Sequence, residues 1–195
     1  MPSTLVILAH PRPSQSLATR ALCQALADAG NVEVRSLYAL YPDFDIDVAA
    51  EQRALAQAQL VVWLAPVYWY SVPALLKHWI DQVLAHGWAF GPGGEALQGK
   101  TAWWVTSAGG GPADYQAGGV HQRALQDFVP PLEQTARFCG MRWLPPHVLY
   151  RGHQLEEAAL RQAREDLALT LARHRQDLGL LPASHAEAET PATPE

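Results

Sequence analysis

The sequence predicts an open, doubly wound α/β fold of five parallel strands, in the order 2-1-3-4-5, with helices on both faces of the sheet. Three observations lead there. The chain carries short, continuous apolar runs such as TLVILA (Thr4–Ala9) and LVVWLA (Leu60–Ala65), the signature of strands buried on both faces. Stretches of helical length separate those runs. Finally, 195 residues that are 49% apolar and 17% charged suit one packed core of this size.

In chain order, the first strand is Thr4–Ala9, and a helix over Ser16–Ala29 follows a short polar loop. Val32–Leu37 (VEVRSL) alternates apolar with polar residues, as a strand with one wetter face does, and suits a sheet edge. Ala49–Ala58 is helical, Leu60–Ala65 is the third strand, and Pro73–His86 is the next helix. TAWWVT (Thr101–Thr106) is the fourth strand, and about Gln122–Cys139 is helical, with Pro130-Pro131 bending or splitting it. A fifth strand runs over Met141–Leu144, with His147–Tyr150 as its extension past Pro145-Pro146. Leu160, Ala163, Leu167, Leu171 and Leu178 then keep one helical face apolar. The domain spans 1–182, and the Ala/Glu/Pro/Thr-rich tail 183–195 reads as disordered.

Composition excludes several partner classes. A formal charge of -5 with only 14 Lys+Arg leaves no electrostatic footprint for nucleic acid. The longest apolar run, Leu60–Tyr70, falls short of the roughly 20 residues a spanning helix needs, and Met1–Pro11 lacks the basic start of a secretory signal. A cytoplasmic protein is expected. Cys23 and Cys139 lack the spacing of a disulfide framework or a zinc site and read as reduced core thiols.

Two motifs imitate other chemistries. Gly94-Glu-Ala-Leu-Gln-Gly-Lys100-Thr101 matches G-x-x-x-x-G-K-[ST], but that loop needs a strand before it and a helix after it, and here a strand follows. Asp43, Asp45 and Asp47 in YPDFDID imitate a calcium loop, yet the glycine and the distal glutamate are missing. No metal is expected.

In this strand order the switch point lies between the first and third strands, which directs attention to loops 10–16, 66–72 and 107–121. In the first, Ser14 and Ser16 are candidate N-caps, and the helix start offers N–H groups and a positive dipole end to a phosphate. His10 and Thr19 are further donors there, while the plainer reading has the serines as caps alone. In the second, Tyr68, Trp69 and Tyr70 offer flat apolar faces with polar tips, suited to a planar heteroaromatic ring or to core or dimer packing. In the third, Ser107-Ala108-Gly109-Gly110-Gly111 permits close backbone approach, and Tyr115 and His121, with Asp114, are its proton-active side chains.

The run PVYWYSVPALLKHWIDQVLAHGWAFG, with LAHPRPSQS before it and GEALQGKTAWWVTSAGGG after it, resembles the NAD(P)H:quinone oxidoreductase family of flavodoxin-like proteins. SLYALYPDFDIDVAAEQRALAQA is similar to the branch of ancillary subunits of glutathione-regulated potassium-efflux systems. The resemblance covers roughly residues 4–145. It implies FMN, with FAD as the alternative, held by His10, Ser16, Leu17, Ala18 and Thr19, by Val67, Tyr68, Trp69 and Tyr70, and by Ser107, Ala108, Gly109 and Gly110.

It further implies that Tyr115 and His121 stabilise charge on the flavin during a two-electron, ping-pong hydride transfer from NAD(P)H to a quinone or other small electrophile. The family has Thr-Thr-Gly-Gly where this chain has Ser107-Ala108-Gly109-Gly110, and often Asn where Thr19 stands. Homodimers are implied, with the segment holding Trp88 and Phe90 reaching toward the partner's flavin. So is a membrane potassium/proton antiporter as partner, which would place the chain at the inner face of the cell membrane. The alternative function is a regulatory binding subunit of a cation antiporter with little enzyme activity of its own.

Overall fold

A computed structural model of the chain describes residues 3–180. Five strands, β1 (Thr4–Leu8), β2 (Val32–Ser36), β3 (Leu60–Leu64), β4 (Thr101–Ala108) and β5 (Arg142–Tyr150), form one sheet in the order β2-β1-β3-β4-β5. Every neighbouring pair is parallel, as expected from the sequence. The helices are α1 (Leu17–Ala27), α2 (Leu37–Leu40), α3 (Val48–Gln57), α4 (Ala74–Val83), α5 (Pro130–Phe138) and α6 (Glu157–Asp177). The expected tail, 183–195, and its boundary lie outside the described residues.

Period-two alternation sorts the apolar strands onto two cores. Leu5 and Ile7 of β1, Val61 and Trp63 of β3, and Ala102 and Trp104 of β4 pack with α3, α4 and α5 on one face. Val6 and Leu8, Leu60, Val62 and Leu64, and Trp103 and Val105 pack with α1 and α6 on the other. Both β1 and β3 are buried at every residue, whereas β2 is half-buried throughout, as the edge position requires.

The opposite edge holds the Pro145-Pro146 pair. Trp103 pairs with Leu144 but Val105 pairs with His147, so β5 carries one residue more than β4 across this point. The Trp103 indole N–H donates to the Pro145 carbonyl at 3.0 Å. An edge bulge is where a strand tolerates proline, and β5 therefore continues through both residues.

Two expectations are corrected and one element is added. The helix expected over Gln122–Cys139 is a 3-10 turn at Leu125–Phe128 followed by α5, and Pro130 and Pro131 occupy the first turn of α5 instead of breaking a longer helix. Their absent N–H groups have no intrahelical partner to lose there. The helix after Pro73 ends at Val83, short of His86, and four residues after β2 form α2, which no periodicity announced.

The two imitative motifs resolve into structural roles. Lys100 is 6% exposed and donates to the carbonyls of Ala56 and Ala58 at the end of α3. Asp47 caps α3 by accepting from the Ala50 N–H at 2.9 Å, and Asp43 accepts from the Asp45 N–H at 3.2 Å. The same connection buries Tyr41 against Glu51, a fully buried carboxylate that also receives Arg35 at 2.6 Å and the Trp79 indole N–H at 2.8 Å. A buried carboxylate persists because each oxygen is hydrogen-bonded and one cation neutralises it.

Candidate functional site

The carboxyl ends of β1, β3 and β4 open into a cleft of about 460 Å³, within the usual size of small-molecule sites. His10, Ser16, Leu17, Ala18, Val67, Tyr68, Ser107, Ala108 and Gly109 of the expected residues line it. Thr19, Trp69, Tyr70, Gly110, Tyr115 and His121 do not.

The first wall is the start of α1. Ser16 is its N-cap: the Ser16 Oγ accepts from the Thr19 N–H at 3.2 Å and donates to Thr19 Oγ1 at 2.9 Å. Thr19 is thus committed to the cap and buried. The N–H groups of Leu17 and Ala18 donate to no protein acceptor among the described residues and lie at the cleft. Unpaired first-turn donors at the positive end of a helix dipole form an anion-binding position. Beside them, the Arg12 N–H donates to His10 Nδ1 at 3.0 Å, which leaves the proton on Nε2. Burial lowers the His10 pKa and favours this neutral ring.

The second wall is Pro66, Val67 and Tyr68. Here the chain reverses in a tight turn in which Tyr68 and Ser71 exchange both backbone hydrogen bonds at 3.0 Å. Trp69 and Tyr70 sit at its centre with φ of 49° and 63°. Positive φ at two consecutive bulky aromatics is rare and strained. Trp69 is also 91% exposed, so its own contacts within the chain do not repay that strain.

The third wall is the end of β4. A Cβ on Gly109 would meet nothing within 4 Å, so open space borders the backbone there. The loop beyond is closed by the Asp114 carboxylate, which accepts from the Gly111 N–H at 2.6 Å, and by the His121 N–H donating to the Asp114 carbonyl at 3.0 Å.

That closure gathers the aromatic residues from two loops. Tyr115 and His121 stack at 4.2 Å, His121 Nδ1 lies 3.5 Å from the Tyr70 hydroxyl, and Tyr70 packs on Phe128 at 5.0 Å. Tyr115 packs with Ala108 and Val67, two residues of the cleft wall, so this cluster stands directly behind that wall. Burial raises the Tyr115 phenol pKa, which keeps the hydroxyl protonated.

Sequence reasoning passed over Arg12, Gln15, Pro66, Gly152 and His153, which also line the cleft. The first three fall inside or next to loops already singled out. Gly152 and His153 form part of a fourth loop, after β5. The available signal was topological: in a 2-1-3-4-5 sheet the carboxyl end of strand 5 opens on the same side as the others.

Comparison with known proteins agrees with this architecture. A glutathione-regulated potassium-efflux system ancillary protein KefF from Klebsiella pneumoniae (strain 342) is 50% identical over 146 residues, covering 75% of this chain and 81% of that protein. The general stress protein 14 of Treponema denticola, solved in complex with FMN, has a TM-score of 0.82 at 37% identity, covering 88% of this chain and 99% of that one. A protein from P. pentosaceus described as an NADPH-quinone reductase has a TM-score of 0.77 at 30% identity, covering 86% and 96%. The flavodoxin-like fold family matches residues 2–171. With the sheet order, the position of the cleft and these likenesses in agreement, the chain belongs to the family of the flavodoxin-like fold.

Proposed function

We propose that the chain is a flavin-dependent NAD(P)H:quinone oxidoreductase that holds FMN in this cleft. The observation that carries the reading is the pairing of chemistries along one groove: unpaired N–H donors at the start of α1, and a flat wall of Pro66, Val67 and Tyr68 facing the small residues Ser107, Ala108 and Gly109. One end suits a phosphate and the other a planar ring. The similarity to an FMN-bound protein and to an NADPH-quinone reductase, both at 30% identity or more, supports it.

Bound FMN would supply hydride-transfer chemistry between NAD(P)H and a quinone or other small electrophile. The unpaired N–H groups of Leu17 and Ala18 would hold the phosphate end, at a helix start that the Ser16 cap fixes. The close backbone of Ser107–Gly109 and the wall at Val67–Tyr68 would keep water from the ring edges and fix its orientation. Tyr115, protonated through burial, and His121 stacked on it form the polar group behind that wall, and their role is to stabilise negative charge at the ring's edge.

The purified protein should be yellow, with a flavin-type absorption spectrum, and should oxidise NADH or NADPH in the presence of a quinone. Tyr115→Phe and His121→Ala should each retain bound flavin but slow its reduction by NAD(P)H in stopped-flow traces by about tenfold or more, the usual range for a charge-stabilising group. Colourless protein that takes up no added FMN would refute the reading, and unchanged reduction rates in both variants would remove the role of the pair.

A second role is favoured by the similarity to the potassium-efflux ancillary protein. We infer that the chain also docks, as a homodimer, on a membrane potassium/proton antiporter at the inner face of the membrane. Co-purification of the full chain with such an antiporter, and sedimentation at twice the chain mass, are the expected results. Monomeric sedimentation together with no co-purification would exclude this role and leave the enzymatic one standing.

A further inference from the structure

Tyr70 reaches from the loop after β3 to the loop after β4. Its φ of 63° follows one of 49° at Trp69, and a tight turn with positive φ at both central residues usually holds glycine, asparagine or aspartate there. Trp69 is 91% exposed, whereas the Tyr70 ring packs on Phe128 at 5.0 Å and meets the His121 ring edge-on at 5.7 Å. This brings the Tyr70 hydroxyl 3.5 Å from His121 Nδ1. The distance is long for an O–H···N bond, as hydrogen bonds among catalytic groups often are before a ligand closes the site. The strained turn thus sets a phenol against one nitrogen of the imidazole.

The other nitrogen faces the opposite way. The His121 ring stacks on Tyr115 at 4.2 Å, and the His121 backbone N–H donates to the Asp114 carbonyl at 3.0 Å. A Cβ built on Gly110 would lie 3.2 Å from His121 Nε2 and 3.0 Å from Asp114 Oδ2. The missing side chain is what admits both groups beside the backbone that continues from Gly109 of the cleft wall. Nδ1 therefore meets Tyr70, and Nε2 lies against the loop that forms the wall.

We propose that Tyr70 is a positioning residue: by donating its hydroxyl proton to His121 Nδ1, it holds the imidazole proton on Nε2, the nitrogen turned toward the cleft wall. The inference rests on the charge-stabilising role given to His121 above and adds the group that orients it. A neutral imidazole has one N–H and one lone pair, so a donor at Nδ1 leaves Nε2 to carry the N–H. The Asp114 carboxylate beside Gly110 favours the same tautomer, because its negative charge attracts the proton to Nε2. With the proton there, an N–H dipole points at the wall and stabilises negative charge beyond it; the other tautomer would turn a lone pair that way. Phe128, packed on the Tyr70 ring, holds the phenol at this position.

The test uses full-length protein with isotope-labelled histidine, freed of flavin, in long-range proton–nitrogen NMR spectra at neutral pH. The His121 signals are identified by their loss in His121→Ala. In wild type, His121 should carry its proton on Nε2 and show Nδ1 as a hydrogen-bonded acceptor. Tyr70→Phe keeps the ring on Phe128 and removes the hydroxyl alone, so the Nδ1 resonance should move downfield with circular dichroism unchanged. Reloaded with FMN, this variant should bind it within about twofold of wild type, yet its reduction by NAD(P)H should be about fivefold slower, the size of one neutral hydrogen bond. Adding Tyr70→Phe to His121→Ala should slow reduction no further, because the phenol then has no partner.

A proton found on Nδ1, or an Nδ1 resonance that Tyr70→Phe leaves in place, would overturn the positioning role, as would losses that add in the double variant. Wild-type reduction rates in His121→Ala would instead overturn the role of the Tyr115–His121 pair, and protein that takes up no FMN would overturn the flavin reading itself.

Discussion

At the scale of single residues, the two strained aromatics separate stability from use of the site. Trp69 has positive φ and is almost fully exposed, so the chain bears a conformational cost there for little internal contact. Such a cost is tolerated where function selects it. Trp69→Asn, which visits the left-handed region more readily, should raise unfolding free energy by up to about 1 kcal/mol in urea titrations, a part of the cost that the conformation carries for an aromatic side chain. The same variant should weaken FMN binding or slow flavin reduction. If stability rises while both flavin properties stay at wild-type values, the turn serves packing between chains and not the ligand.

At the scale of elements, Lys100 shows how a motif's neighbours decide its chemistry. Letter for letter it is the lysine of a phosphate-binding loop, but β4 begins directly after it, where that loop needs a helix. The side chain turns instead to the end of α3 and satisfies the carbonyls of Ala56 and Ala58. Burial lowers its pKa, and the two carbonyls at the negative end of the helix dipole stabilise the cation. Lys100→Ala strands those carbonyls and should cost about 2 kcal/mol in chemical denaturation. FMN affinity in the variant should equal that of wild type, and a loss of affinity without a loss of stability would return the lysine to ligand binding.

At the scale of the whole molecule, α6 covers one face of the sheet, and histidines lie in that seam. The His174 ring meets Trp103 edge-on at 4.8 Å, and His147 of β5 meets the same indole at 6.1 Å. Burial lowers both pKa values; Asp166 opposes the shift at His147 and Asp177 at His174, while the His174 charge adds to it at His147. Because each folded-state pKa lies below the ordinary 6.5, the unfolded chain binds more protons across the interval between them. The associated stability is complete above about pH 6.5 and declines as pH falls toward the folded-state values. Melting temperature should therefore drop between pH 7.5 and 5.5, and His147→Gln with His174→Gln should flatten that slope. An unchanged slope in the double variant would place the acid sensitivity elsewhere, with His10, half-buried and its pKa also lowered by burial, the next histidine to examine.

Strand identity, order and edge assignment were legible because they depend on local patterns: continuous apolar runs for β1, β3 and β4, and alternation for β2. The positions of three loops at the cleft followed from strand order alone, since carboxyl ends of parallel strands share one side. The bulge at Pro145-Pro146, the use of Pro130-Pro131 as a helix start, and the short α2 were not legible, because each depends on what packs beside it. The same holds for the site. Ser16, Leu17 and Ala18 could be placed at a helix start from the sequence, but Thr19 is indistinguishable from them until its hydroxyl is seen bound to the cap. His153 lies outside every motif in the chain, and the missing Cβ of Gly152 means nothing until Ala18 is found against it. Local chemistry determined which elements form and on which side of the sheet the cleft opens; only tertiary packing decided which side chains line that cleft, because contacts between residues distant in sequence are set by the three-dimensional fit of the elements and not by spacing along the chain.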